Sequence, residues 1–207
     1  IDSHGCIRGY KESEYNLDNI NEGKVLFYLY DEFNDERYKK AIDSLYRQLE
    51  NQPRTLEGNF WHKQIYPNQI WLDGLYMAQP FYLEYEKRFN NMKNIDDIRK
   101  QFKTVYNKLR DPESGLYYHA CDSSKEMFWC DKTTGLSPNF WLRALGWFYM
   151  ALVDVIELLG DDDSDFKKEV SNMFFELTQS LLKYQHSSGM WYQLPALGNV
   201  EGNYLET

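Results

Sequence analysis

The alternation of two kinds of helical segment constrains the fold of this chain more than any other feature of its sequence. Apolar residues recur with helical spacing almost throughout, and little of the chain alternates apolar and polar residues as a strand does. Three segments are apolar over most of their surface, and three others are amphipathic and rich in charge. The apolar segments are residues 19–34, 71–89 and 141–159, and the amphipathic ones are residues 35–50, 95–109 and 164–185.

A helix that is apolar on all sides is usually buried, whereas a helix with a charged stripe faces water. The order of the segments therefore predicts an all-α fold in which helical hairpins form two concentric layers. Long loops precede the buried helices, at residues 51–70, 110–140 and 186–203. Loops of this length are often functional, and we expect these to gather at one end of the molecule.

A weak internal repeat supports this arrangement. The sequence around Trp71 recurs around Trp141, 70 residues later, and buried helices are predicted to begin near Asp18, Trp71, Trp141 and Tyr204. The array would stop in the middle of a unit, which predicts that the chain is part of a larger protein.

Charge and composition exclude several classes of function. The 207 residues fit a single domain and carry a net charge of −9, which repels phosphate backbones and makes nucleic acid a poor candidate partner. No apolar run approaches the roughly 20 residues that span a bilayer, so no membrane partner is expected. The three cysteines lack CxxC spacing, and no metal site is predicted. Cytoplasmic and periplasmic locations are not distinguished, and no oligomeric state is indicated.

Polar residues stand at the predicted starts of the buried helices, where a core would not need them. Asp18 and Asp73 are acids, and Arg143 follows Trp141 at the same offset at which Asp73 follows Trp71. If the buried helices point the same way, these groups converge at one end. Asp18 and Asp73 could instead be helix N-caps or first-turn acids, and Arg143 could form a buried ion pair.

These residue types suit a particular chemistry. An apolar setting such as that of Asp73 favours the protonated form of a carboxyl group, which can then act as a general acid on a glycosidic or enol ether bond. Asp18 would complete a two-acid site, and Arg143 offers a planar fork for a carboxylate. His119 is open to a structural as well as a functional interpretation. Flat faces for sugar rings are supplied by Trp61, Trp71, Trp129, Trp141, Trp147 and Trp191.

At these residues the chain resembles the unsaturated glycosyl hydrolases of families 88 and 105, and most of all the unsaturated rhamnogalacturonyl hydrolases of family 105. The resemblance is carried by residues 17–21, 60–67, 71–77, 118–120, 137–147 and 201–206. It implies an (α/α)6 toroid of six helical hairpins. Residues 1–207 would be a single catalytic domain that lacks hairpins at both ends and forms the central part of that toroid.

The resemblance also implies a reaction. These hydrolases hydrate the double bond of a 4,5-unsaturated galacturonyl residue, and the hemiketal that results opens and releases the neighbouring sugar. By position, Asp73 would protonate C4 and then activate water for attack at C5, with Asp18 as the partner carboxylate. The uronate would be bound by His62, Lys63, His119 and Arg143, and the pocket would be shaped by Trp71, Trp141 and Trp147. No metal or organic cofactor is implied.

Several alternatives stay open at this point. Leu145 stands where family 105 members often carry a polar residue, and this leaves the released sugar undetermined. The runner-up activity is that of a family 88 unsaturated glucuronyl hydrolase on glycosaminoglycan fragments. A non-catalytic glycan-binding toroid and a sugar epimerase are the remaining interpretations.

Overall fold

The computed structural model describes residues 1–161 and 164–206, and helices dominate these ranges. The helices are α1 (Asp18–Asn21), α2 (Lys24–Phe33), α3 (Glu36–Asn51), α4 (Gly74–Phe89), α5 (Ile95–Leu109), α6 (Leu142–Leu159) and α7 (Ser164–Lys183). Two antiparallel ribbons join the loops. Strand β1 (Gln69–Trp71) pairs with β2 (Ala120–Asp122), and β3 (Trp191–Tyr192) pairs with β4 (Leu205–Glu206).

The helices form three successive hairpins in two layers, as the sequence predicts. The inner layer consists of α1 and α2, α4, and α6, with α4 packed between α1 and α6; the outer layer consists of α3, α5 and α7. The central helix α4 is buried on nearly all sides, whereas α3 and α5 bury one stripe each. The core between the layers contains fully buried Ile42, Leu45, Phe81, Phe102 and Phe148. None of the helices in the described ranges is long and apolar enough to cross a membrane.

Three predicted boundaries differ from the structure. The first apolar helix is divided between α1 and α2, with Glu22 and Gly23 at the junction. The second begins at Gly74 rather than Trp71, because residues 69–71 pair with β2. At the predicted start near Tyr204 the structure has the strand Leu205–Glu206, because its main chain pairs with Trp191–Tyr192, and the described residues end there.

The junction between α1 and α2 shows why glycine occupies position 23. A Cβ added to Gly23 would lie 2.3 Å from Leu45 Cδ1 of α3 and 2.9 Å from Phe81 Cε2 of α4. The main chain of the first inner helix therefore packs directly on its neighbours in both layers. This close approach fixes the position of α1, which carries Asp18, relative to α4.

Candidate active site

A repeated main-chain contact sets the start of each inner helix. The amide N–H of Leu17 donates to the carbonyl of His62, that of Leu72 to His119, and that of Leu142 to Gln193, at N···O distances of 3.1, 2.8 and 2.9 Å. In each case a leucine at the start of an inner helix is held by the loop that follows the same hairpin. The next residue in each copy is Asp18, Asp73 or Arg143. The repeat therefore places the three predicted polar residues at equivalent positions.

Asp18 lies between two nitrogen-bearing side chains of the loop at residues 51–70. Its carboxylate is 3.2 Å from His62 Nε2 and 2.7 Å from Lys63 Nζ. Burial alone would raise the pKa of Asp18, but the hydrogen bonds and charges of His62 and Lys63 outweigh burial and lower the pKa to about 2. Asp18 is therefore ionised at neutral pH. Asp18 is not the N-cap of α1, which is Leu17, but it does lie in the first turn, as the other structural interpretation expects. Its own N–H donates to the side-chain oxygen of Asn16.

Asp73 stands at the N-cap position of α4, yet its side chain makes no capping hydrogen bond. Its carboxylate is only 14% exposed and lies 3.3 Å from His119 Nε2. Those two atoms are not aligned for a hydrogen bond, and within the described residues neither atom has another hydrogen-bond partner. Although Asp73 occupies the N-cap position, its side chain therefore does not cap α4. A Cβ at the following Gly74 would lie 3.1 Å from His62 Nδ1, so the surroundings of the two acids touch.

Aromatic rings connect the two acids. Trp71 stacks on His62 with ring centroids 4.5 Å apart, and His119 meets Trp71 edge-on at 5.5 Å. His119 also meets Trp141 edge-on at 4.9 Å. The rings of His62, Trp71 and His119 therefore form a continuous row. His62 at one end contacts Asp18, and His119 at the other end contacts Asp73. Flat apolar faces beside polar groups are what a sugar ring requires.

Arg143 is exposed, and its guanidinium carbon lies 4.5 Å from the ring centroid of Trp141. Among the residues that the structure describes, no carboxylate pairs with it, so the buried ion pair considered from the sequence is wrong. A guanidinium held on an indole face and left unpaired is available to a carboxylate from outside the chain. Trp147, one turn further along α6, stacks on Tyr76 of α4 at 5.0 Å. Contacts between neighbouring side chains thus join eight of the nine predicted residues, from Lys63 and Asp18 through to Arg143, whereas Trp147 stacks on Tyr76 instead.

A second polar group lies deeper between the inner helices, and sequence reasoning missed it. Lys24 Nζ of α2 lies 3.4 Å from the ring centroid of Tyr76 and 3.6 Å from Asp154 Oδ2 of α6. Burial lowers the pKa of Lys24 and raises the pKa of Asp154. Because Tyr76 also stacks on Trp147, this group joins side chains of α2, α4 and α6. The signal in the sequence was that Lys24 is the single lysine of residues 19–34 and Asp154 the single aspartate of residues 141–159.

Leu145, which replaces the polar residue that family 105 members often carry at this position, belongs to the hydrophobic core. Its side chain is fully buried among the hydrophobic residues of the fold, so it packs between helices. No group of three or more metal-ligating side chains occurs in the described part of the chain.

Comparison with known proteins identifies the family. Residues 2–207 match the model of Glycosyl Hydrolase Family 88. Protein Atu3128 of Agrobacterium fabrum is 34% identical over 131 residues, which is 63% of this chain and 55% of that protein. The unsaturated rhamnogalacturonyl hydrolase YesR of Bacillus subtilis is 26% identical over 184 residues, which is 86% of this chain and 51% of that protein. The chain thus spans about half the length of the curated relatives it matches.

A solved structure has the same arrangement of helices. The family 105 glycoside hydrolase of C. acetobutylicum ATCC 824 superposes with a TM-score of 0.96 at 47% sequence identity, over 100% of this chain and 57% of that one. The helical hairpins are those of the (α/α)6 toroid, which agrees with the fold expected from the resemblance.

Proposed function

The chain belongs to glycosyl hydrolase family 88, and from that membership we propose that it carries the active site of an unsaturated rhamnogalacturonyl hydrolase. The enzyme would release a 4,5-unsaturated galacturonyl residue from rhamnogalacturonan oligosaccharides. The relative named as an unsaturated rhamnogalacturonyl hydrolase and the 47% identical family 105 hydrolase support this choice. The observation that carries it is the contrast between two acids. Asp18 contacts His62 and Lys63, whereas Asp73 lies beside His119, and aromatic rings run between them near Arg143.

In the proposed reaction, Asp73 donates its proton to C4 of the unsaturated ring. A water molecule then adds its oxygen to C5 and returns a proton to Asp73, so that one water is consumed and the acid is regenerated. The C5 hemiketal opens and releases the neighbouring sugar as an alcohol. No bond at the anomeric carbon is displaced directly.

The other residues bind and orient the substrate in this proposal. Arg143 pairs with the uronate carboxylate, to which its planar fork is matched. Asp18, which is ionised, accepts hydrogen bonds from substrate hydroxyls while His62 and Lys63 hold it in place. Trp71, Trp141 and Trp147 shape the pocket, and His119, beside Asp73, binds the uronate together with Arg143.

The test follows the ultraviolet absorbance of the conjugated double bond in the unsaturated galacturonyl-rhamnose disaccharide. Wild-type full-length protein should consume it, and Asp73→Asn should lower kcat by about two to four orders of magnitude because the acid and base is lost. Asp96→Asn, the same change at an exposed position of outer helix α5, serves as the control and should leave kcat unchanged.

Each alternative has its own outcome. Undiminished turnover by Asp73→Asn would remove Asp73 from the mechanism. Binding of the disaccharide by the wild type without loss of absorbance would favour a glycan-binding protein. Faster turnover of an unsaturated glucuronyl disaccharide from a glycosaminoglycan would favour the glucuronyl hydrolase of family 88.

A further inference from the structure

A cavity opens beside the pair formed by Asp73 and His119. It encloses about 260 Å³ and is lined by Trp71, His119, Ala120, Trp129, Ser137 and Pro138. Drug-sized ligands occupy pockets of roughly 300–1,000 Å³, so this smaller cavity suits one sugar ring. Neither Asp18 nor Arg143 lines it. A uronate held by those two residues would leave this cavity for the sugar next to it.

Trp129 forms the wall of this cavity that the proposed mechanism does not use. It is half-buried in the loop of residues 123–136 and also borders a second cavity. Within residues 1–161 and 164–206, its indole stacks on no ring or cation, and its Nε1–H donates no hydrogen bond. By contrast, Trp71, Trp141 and Trp147 each pack against another side chain of the site.

The loop that carries Trp129 is rigidly anchored. The carboxylate of Asp122, which is fully buried, accepts hydrogen bonds from the backbone N–H groups of Ser124, Glu126 and Met127 at 2.8–3.0 Å. The Asp122 N–H in turn donates to the carbonyl of Gly135 at 2.8 Å, which closes the neck of the loop. The hydrogen bonds of Asp122 fix the loop, and the indole face of Trp129 contacts no other ring in the described ranges. A face fixed in this way is preorganised for a ligand.

We propose that Trp129 is a specificity-determining residue that packs against the sugar released by the reaction. This assignment rests on the proposed function, because it takes the unsaturated uronate to occupy the space between Asp73 and Arg143. The leaving sugar then lies in the 260 Å³ cavity, with one face on the indole and its hydroxyls near Ser137. A leaving group without a ring makes no use of Trp129.

The experiment compares two substrates in the full-length protein. One is the unsaturated galacturonyl-rhamnose disaccharide, and the other is the methyl glycoside of the same unsaturated uronate, whose leaving group is methanol. In Trp129→Ala, kcat/KM should fall about 10- to 100-fold for the disaccharide and stay within about twofold for the methyl glycoside. Trp129→Phe, which keeps a smaller ring, should lose less on the disaccharide and nothing on the methyl glycoside.

Phe128 provides the matched control. It is adjacent in the same loop, 90% exposed, and lines neither cavity, so Phe128→Ala should leave both kcat/KM values unchanged. If thermal unfolding shows that Trp129→Ala is not folded, the kcat/KM values of Trp129→Phe on the two substrates test the role of Trp129 instead.

The failures are distinguishable. Equal losses on both substrates, or no loss on the disaccharide, overturn the role of Trp129 while the proposed function stands. If the wild type consumes neither double bond, the proposed function itself fails, and the assignment of the cavity fails with it.

Discussion

Asp18 and Asp73 occupy equivalent positions in successive hairpins, yet their surroundings differ. The Asp18 side chain is 43% exposed and has two nitrogen atoms within 3.2 Å, whereas that of Asp73 is 14% exposed and, among the described residues, pairs with the His119 imidazole alone, at 3.3 Å. Two carboxylates in different environments can divide the work of acid and of fixed anion. In the proposed function, Asp18 is the permanent anion and Asp73 exchanges the proton.

The lowered pKa of Asp18 predicts a pH dependence of stability. Because its folded pKa of about 2 lies below the ordinary value of 3.8, its contacts with His62 and Lys63 stabilise the fold above pH 3.8, and this contribution is lost as the pH falls through about 2. Asp18→Asn should therefore be less stable than the wild type at neutral pH, and the difference should vanish near pH 2.

Urea unfolding at a series of pH values measures that difference. Lys63→Met removes one cation from Asp18 and should raise its folded pKa toward 3.8, so in this variant the loss of stability on acidification should be smaller and should be complete at a higher pH. A difference between wild type and Asp18→Asn that does not change with pH would contradict the assignment.

At the scale of the element, the inner and outer helices could be predicted because their apolar surfaces differ in extent. The residues at the starts of the inner helices could be predicted as polar exceptions within apolar surroundings. The hydrogen bond from Leu17 to His62 could not, because it joins main-chain atoms far apart in sequence. The strand Leu205–Glu206 is equally invisible, since two residues are too few to show alternation.

The close packing at Gly23 predicts an asymmetry between two glycines. Gly23 has φ −68° and ψ −20°, which alanine also adopts, so Gly23→Ala acts through the clash of its Cβ with Leu45, Phe81 and the carbonyl oxygen of Ile20. We expect it to lower the free energy of unfolding by about 1–3 kcal/mol. Gly146→Ala in α6 meets no atom within 4 Å and should raise it by about 0.5–1 kcal/mol.

Urea unfolding of the two variants beside the wild type tests this contrast. An equal response of the two would show that the approach of α1 to its neighbours is looser than the structure has it.

At the scale of the whole molecule, one side of the last hairpin is apolar and open. A groove of about 570 Å³ runs between α6 and α7 and is lined by Leu142, Arg143, Gly146, Trp147, Tyr149, Met150, Thr178, Leu181, Leu182, Trp191 and Glu206. Open apolar surfaces of this kind bind hydrophobic dyes.

A polypeptide of these 207 residues alone should therefore enhance the fluorescence of an apolar dye such as ANS. Leu182→Lys places a charge in the groove and should reduce the enhancement. Leu56→Lys, at a position that is 96% exposed and outside the groove, should not. An equal effect of both substitutions would assign the dye to some other surface.

The main-chain bonds of Leu17, Leu72 and Leu142 have a consequence for how such a protein can diversify. Because backbone atoms hold these three places, the main-chain position of the following residue does not depend on its side chain. Two copies of the repeat now present a carboxyl group and one presents a guanidinium. Selection could exchange these side chains one at a time, and new reactivities could arise within an unchanged architecture.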